Sequence, residues 1–287
     1  MSNNNGFNLE SLMVPTLAAT VYAAQESSLY LGGAIVPMEN VPAGSTSLQV
    51  PILSLAGAAE EDSAASAFGS DDFTSTAITD TTVTIPVSVL ARRTILRDVG
   101  GVNPASIGRQ LGQSVAKAFD QKVTGLFTSF ATNSAVVGSG TSNALTVDDV
   151  IDGATALKTA GEYGQLMAVL HPEQVANILK DINSTSFAGG DFQSEALRNG
   201  FRGTLYGVMI FESSFITATT DTDNLWEGAM FSRDAMRIAM QKNVDLEVAR
   251  RAEAVGFDVV ANLHAGVGIV DNARGILIKS TGNTVET

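Results

Sequence analysis

The clearest pattern along the chain is a pair of alternating segments, each interrupted by a proline. Residues 46–53 read TSLQVPIL and residues 82–90 read TVTIPVSVL. Apolar residues at every second position predict strands with one buried face. Proline lacks an N–H, so Pro51 and Pro86 are tolerated only where the strand edge has no neighbour. We therefore predict a two-stranded ribbon, which is marginal in water and must lie on another surface.

The strongest helical periodicity follows this ribbon. Asn103 is a good N-cap and Pro104 a good first-turn residue. Apolar side chains then recur at three- and four-residue steps, which predicts a helix over 104–130, about 40 Å long. The apolar positions are Ile107, Leu111, Val115, Phe119, Val123, Leu126, Phe127 and Phe130. Glycines at 108, 112 and 125 weaken the helix, so packing must stabilise it.

The remainder of the chain mixes helix and strand signals. We expect a helix after Thr146, a buried strand at 165–170 and a helix from Pro172. Strand patterns dominate from 244 onward, and no internal repeat is present. The predicted fold class is α+β, with an N-terminal arm and a ribbon ahead of a mixed body.

Candidate chemistry is sparse. The chain has no cysteine and only two histidines, His171 and His264, without metal-ligand spacing. Gly266 and Gly268 form a G-x-G after a strand, but a further strand follows instead of a helix, so a phosphate loop is not indicated. Neither a G-x-S-x-G elbow nor a P-loop pattern occurs. We therefore predict no catalytic residue, no cofactor and no metal. No signal peptide is visible, and the apolar segment at 12–24 is too short to span a membrane.

Charge is distributed unevenly. The net charge is −13, and residues 1–91 contain nine acids but no lysine or arginine. This bias either serves solubility or suits an extended arm that docks on a basic surface. The candidate acids lie in the ribbon tip: Glu60, Glu61, Asp62, Asp71 and Asp72. The candidate bases are Arg92, Arg93, Arg97 and Arg109, which either receive these acids from another subunit or form a solvated face with intrachain pairs.

The order of elements resembles the major capsid proteins of tailed bacteriophages, which have the HK97-like fold. The likeness covers nearly the whole chain and extends to local sequence, as in MAVLHPEQVANIL, GTLYGVMIFESSFI and AMFSRDAMRIAM. It implies a division into an N-terminal arm (1–45), an extended β-ribbon or E-loop (46–90), a peripheral domain (91–140) with the spine helix at 104–130, an axial domain (141–240) and returning strands of both domains (241–287).

The resemblance implies a structural protein, not an enzyme. Many copies would form hexamers and pentamers of an icosahedral shell around double-stranded DNA in the virion, assembled in the host cytoplasm, without sequence-specific DNA binding or a membrane. Separate scaffolding, portal and decoration proteins would be its partners. Some relatives crosslink an E-loop lysine to an asparagine, but residues 41–91 contain neither residue type. Two alternatives stay open: an encapsulin-type nanocompartment shell of the same fold, and a soluble enzyme or another virion structural protein.

Overall fold

The computed structural model describes most of the chain in eight segments. They are residues 17–24, 28–54, 79–97, 104–132, 135–162, 164–184, 203–219 and 225–282.

The described residues form four α-helices and twelve strands. The helices are α1 (17–24), α2 (Pro104–Thr124), α3 (Val147–Thr159) and α4 (Pro172–Ser184). The first strands are β1 (Met38–Asn40), β2 (Ser47–Ser54), β3 (Thr79–Pro86), β4 (Ser88–Arg97), β5 (Val136–Val137) and β6 (Leu166–Leu170). The others are β7 (Thr204–Leu205), β8 (Val208–Glu212), β9 (Trp226–Ser232), β10 (Met236–Arg251), β11 (Gly256–Ile269) and β12 (Gly275–Ser280).

The strands build three sheets. A four-stranded sheet has the order β1-β10-β11-β4, in which the long β10–β11 hairpin is antiparallel and β1 runs parallel to β10. A six-stranded mixed sheet has the order β5-β12-β9-β6-β8-β7. β2 and β3 form the third sheet alone. This mixture of helices and strands confirms the predicted α+β class.

The two prolines of the ribbon lie where the alternation predicted an unpaired edge. The Val87 N–H donates to the Thr46 carbonyl at 2.9 Å, and the register pairs Ser47 with Pro86 and Pro51 with Thr82. Hydrogen-bonded and non-hydrogen-bonded pairs alternate along antiparallel strands, so both prolines fall in non-hydrogen-bonded pairs. Their missing N–H groups therefore point away from the partner strand. The predicted strand at 82–90 is divided, because β3 ends at Pro86 and β4 begins at Ser88 in another sheet.

The long helix is shorter than predicted. α2 begins at Pro104 as expected but ends at Thr124, and a 3₁₀ segment, Phe127–Thr132, replaces the predicted last turns up to residue 130. Glycine at 125 favours ending the helix, and the Thr124 hydroxyl donates to the Phe215 carbonyl at this point. The predicted N-cap, Asn103, lies outside the described residues.

Gly112 marks the crossing of α1 over α2. A Cβ atom at position 112 would lie 2.3 Å from the Thr20 carbonyl oxygen. Only glycine permits so close an approach of the two backbones. The glycine that weakens α2 intrinsically is therefore required by its packing.

Two apolar cores hold the body together. The larger one lies between α2 and the four-stranded sheet, and Phe119 and Val123 of α2 are fully buried in it. Tyr30, Ile35 and Val36 belong to the same core, although their segment was predicted to be an arm. The second core lies between the six-stranded sheet and the helices α3 and α4.

Candidate functional site

The predicted arginine cluster is built on β4, an edge strand of the four-stranded sheet. Successive side chains of a strand point to opposite faces. Leu90 and Leu96 pack against the main core, so Arg92, at the same parity, lies on the α2 side of the sheet. Arg93 and Arg97 lie on the opposite face. The arginines that are adjacent in sequence therefore do not form one patch.

Arg93 has a partner within its own chain. Its Nε donates to Asp258 Oδ1 at 2.6 Å, and its terminal nitrogen contacts the second carboxylate oxygen. Asp258 lies on β11, next to β4. The hydrogen bond raises the pKa of Arg93 and lowers the pKa of Asp258. For Arg93 the intrachain alternative is the one observed.

The other three arginines are exposed. Within the described ranges, no carboxylate forms an ion pair with Arg92, Arg97 or Arg109. The candidate acids at the ribbon tip lie outside the described residues: Glu60, Glu61, Asp62, Asp71 and Asp72. The predicted contact between the two groups stays a prediction.

The outer face of β4 combines apolar and cationic side chains. Val89 and Ile95 are exposed and alternate along the strand with Arg93 and Arg97 on that face. Exposed β-branched side chains beside arginines suit contact with a partner that is partly apolar and acidic. This face of β4 is the candidate interaction surface.

The ribbon is seated on β11 by two glycines. A Cβ atom on Gly266 would lie 2.2 Å from the Pro86 carbonyl oxygen, and one on Gly268 would lie 2.8 Å from Ile85 Cγ1. Ile85 is fully buried there, in a small cluster with Val41 and Ala239. The G-x-G that was rejected as a phosphate loop is thus the seat of the ribbon. The sequence could have indicated this seat, because two glycines spaced by two in a strand lie on the same face and leave room there for another segment.

A β-bulge in β10 supports the same seat. The pairing of β10 with β11 is irregular between Met240 and Asp245. Within this bulge, Gln241 donates to the Ser45 carbonyl at 2.7 Å, and its side-chain oxygen lies 3.4 Å from His264 Nδ1. His264 therefore helps to position the ribbon base.

His171 lies at the start of α4 and packs on an aromatic ring. Its ring stacks on Trp226 with centroids 3.6 Å apart, and its Nδ1 accepts from the Glu173 backbone N–H. Burial lowers the pKa of His171, while the Glu173 carboxylate acts in the opposite sense. The Trp226 indole N–H donates to Glu173 at 3.0 Å. His171 thus caps and orders the start of α4.

Neither metal-ligand nor membrane-spanning features emerge from the part of the chain that the structure describes. No group of three histidine, cysteine or acidic side chains is placed there to hold a metal ion. None of the helices there is both long enough and apolar enough to cross a membrane.

Comparison with known proteins agrees with this architecture. Residues 90–278 match a family model described as phage capsid protein. No curated protein sequence matches the chain. A chain of Mycobacterium phage Che8 is 18% identical with a TM-score of 0.63, covering 82% of this chain and 84% of that one. The capsid of Ralstonia phage GP4 is 12% identical with a TM-score of 0.64, covering 89% of each chain.

A third similar structure is described as a virus-like particle. The virus-like particle from Pyrococcus furiosus is 13% identical with a TM-score of 0.60, covering 93% of this chain and 98% of that one. At such identities the likeness shows the fold alone. The family match favours a phage capsid over a nanocompartment shell, and it spans β4, α2 and most of both larger sheets. The chain belongs to the phage capsid protein family and is a structural protein of a phage shell.

Proposed function

We propose that many copies of this chain assemble into the hexamers and pentamers of an icosahedral shell that encloses double-stranded phage DNA. The ribbon is the observation that carries the proposal. Among the described residues, β2 and β3 hydrogen-bond as strands only to each other, and of their side chains at 47–52 and 80–86 only Ile85 is buried. An isolated two-stranded ribbon is marginal in water. A neighbouring copy provides the surface that the ribbon lacks.

The charges of the chain complement one another between copies. Arg92, Arg97 and Arg109 are exposed and form no ion pair with a described carboxylate, while residues 1–91 carry acids and no base. We infer that ribbon-tip acids of one copy meet these arginines of the next. Each exposed pair is individually weak, so the effect depends on repetition around the shell.

The acidic balance also suits a container for DNA. Phosphate binding requires clustered lysine and arginine, and the net charge of this chain is −13. Packaged DNA is therefore repelled by the shell on average and stays free to slide. Scaffolding, portal and decoration proteins are the partners expected of such a shell in the virion, with assembly in the host cytoplasm.

Charge reversal at β4 tests the proposed contact. The double variant Arg92→Glu, Arg97→Glu should lower the yield of shells more at about 50 mM than at about 500 mM salt, because screening weakens exposed charge pairs. Shells are counted by electron microscopy and by sedimentation, with a scaffolding protein co-expressed where the wild type requires one. Adding Glu60→Lys and Glu61→Lys should restore part of the yield.

Arg274→Gln is the control, because it removes an arginine away from β4 whose ion-pair partners, Glu162 and Asp271, are intrachain. Its yield should stay close to that of the wild type. Equal loss at every ionic strength in the double variant would assign the arginines a packing role. A wild-type chain that remains monomeric at high concentration with scaffold present would overturn self-assembly itself.

A further inference from the structure

We propose that the six-stranded sheet joins neighbouring copies head to tail, in a contact that rests on the proposed self-assembly. The tip of the β7–β8 hairpin of one copy docks against the β5 edge of the next. β7 and β5 stand at opposite ends of the strand order, so the two surfaces face away from each other across one subunit.

The hairpin tip carries an aromatic residue in a conformation that it disfavours. Tyr206 and Gly207 form the two-residue loop between the paired residues Leu205 and Val208, and their φ angles are +52° and +80°. Such loops favour asparagine and glycine, since a side chain with a Cβ is strained at positive φ. Strain of this kind persists where a function requires the side chain.

Nothing within the described chain covers the Tyr206 ring fully. The residue is 53% exposed, and Lys158 Nζ lies over the ring, 4.2 Å from its centroid. Tyrosine is enriched at the centres of protein interfaces, because one rigid ring supplies a large contact area. The strained position is therefore explained by a contact outside the chain.

The opposite edge of the sheet presents a matching apolar residue. Val137 on β5 is 47% exposed. Among the described residues of this sheet and its two helices, Tyr206 and Val137 are the large apolar side chains left exposed. One stands at each edge, which is the arrangement that a head-to-tail contact needs.

Helix α3 adds complementary charges to the two edges. Its first half lies beside β5: the Asp149 carboxylate accepts the Ser139 N–H at 3.0 Å, and Gly153 packs against Val136. Exposed Asp148 and Asp152 lie in this half. Its last turn holds Lys158, beside Tyr206.

The two ends of α3 therefore differ in charge, acidic beside β5 and basic beside β7–β8, while Lys279, in register with Val137, is paired with Glu227. Identical copies that close a ring must present two different, complementary surfaces. Contact of one copy's Lys158 with the next copy's Asp148 and Asp152 satisfies this requirement. Contact between two like edges brings equal charges together and is disfavoured, so the charges set the direction of the ring.

A charge swap tests the contact. Lys158→Glu alone, and Asp148→Lys with Asp152→Lys, should each lower the fraction of chain in capsomers at least about tenfold. The variant that carries all three changes should return to within about threefold of the wild type, because the pair is rebuilt with inverted sign. Capsomers are measured by sedimentation velocity. Thr155→Glu, on the exposed middle of α3, is the charge control and should assemble normally.

Tyr206→Asn distinguishes a role of Tyr206 in the interface from a role in folding. Asparagine tolerates positive φ, so the melting temperature of the unassembled chain should stay equal or rise while the capsomer fraction falls. Failure of the triple variant to recover, or normal assembly of Tyr206→Asn, would overturn the contact.

Loss of a decoration partner with intact capsomers would overturn it as well and assign the tip to that partner. A wild type without capsomers rejects the proposed function, whereas normal wild-type capsomers with a failed swap reject this contact alone.

Discussion

Two segments that are close in sequence are attached to the body in opposite ways. The N-terminal segment, which consists of α1 and residues 28–36, enters the main core, where Ala24, Tyr30 and Val36 are fully buried. The ribbon that follows touches the body through Ile85 and a small cluster at its base. Both segments belong to the region without any basic residue. Charge pattern alone therefore does not distinguish a segment that completes the core from one that needs a second copy.

The polar contacts of the two segments differ in the same way. The buried Asp120 carboxylate on α2 accepts the Ser28 hydroxyl at 2.6 Å and the Leu29 N–H at 3.0 Å. At the ribbon base, Gln241 donates to the Ser45 carbonyl, which is a hydrogen bond between neutral groups. The first segment is thus fixed by burial and by two hydrogen bonds to a buried carboxyl group, whereas the ribbon is fixed mainly by shape.

The largest expected effect on stability comes from adding a side chain at Gly112, where α1 crosses α2. In Gly112→Val the new Cβ would meet the Thr20 carbonyl, so one of the two backbones must move. We expect the free energy of unfolding to fall by about 2–3 kcal/mol, as for other overpacked sites. Chemical denaturation of the unassembled chain measures this change.

Gly32→Ala is the matched control, since nothing lies within 4 Å of its new Cβ. Its unfolding free energy should stay within about 0.5 kcal/mol of the wild type. A Gly112→Val variant as stable as this control would show that the N-terminal segment is not part of the core.

A smaller effect is expected from the buried carboxylate. Burial raises the pKa of Asp120 to about 6, although hydrogen bonds from Ser28 and Leu29 oppose the rise. The nearby Tyr30 stays neutral, because burial and the Asp120 carboxylate both raise the pKa of Tyr30 well above its usual value. The pKa of Asp120 is higher in the folded chain than in the unfolded one, so its favourable contribution is complete below a pH of about 4 and is lost as the pH rises through about 6.

Asp120→Asn should remove that pH dependence. Relative to the variant, the wild type should lose roughly 2 kcal/mol of stability between a pH of about 4 and about 7, measured by urea unfolding at each pH. Parallel curves for Asp120→Asn and the wild type would mean that Asp120 is not buried against the N-terminal segment.

Local patterns predicted the elements whose causes are local. Proline in two alternating segments was enough to predict the ribbon, because a missing N–H restricts a strand wherever it folds. The start of α2 followed from Pro104 and its apolar spacing. Its end did not, since residues after Gly125 keep an apolar spacing while they fold as a 3₁₀ segment around Phe127 and Phe130.

The candidate site was predictable only in part. The period of two in β4 already implies that Arg92 and Arg93 point to opposite faces. The partner of Arg93 was not predictable, because Asp258 is brought near by the register of β4 with β11, 165 residues away. The seat of the ribbon was not predictable for the same reason. Gly266 and Gly268 are needed only because Pro86 and Ile85, which are distant in sequence, pack directly against them.

The smallest expected effect on overall stability comes from Gly266→Ala, which obstructs the ribbon seat. The new methyl group would meet the Pro86 carbonyl, as severe a clash as the one at Gly112. The ribbon contributes little to the main core, so it can lift away while the body stays folded. We expect the unfolding free energy to change by about 1 kcal/mol or less. Backbone amides of β2 and β3 should exchange with solvent at least about tenfold faster, because local opening becomes easier.

Hydrogen exchange followed by mass spectrometry compares the ribbon with the body in one experiment. Gly164→Ala, with open space around its Cβ, should leave both regions unchanged. If Gly266→Ala instead lowers global stability as far as Gly112→Val does, the ribbon base is part of the main core and the contrast between the two segments is wrong. Faster exchange confined to β2 and β3 would show that the similar clashes at positions 112 and 266 have different effects. The clash at 112 disturbs a segment buried in the main core, whereas the clash at 266 displaces a ribbon that binds a neighbouring copy.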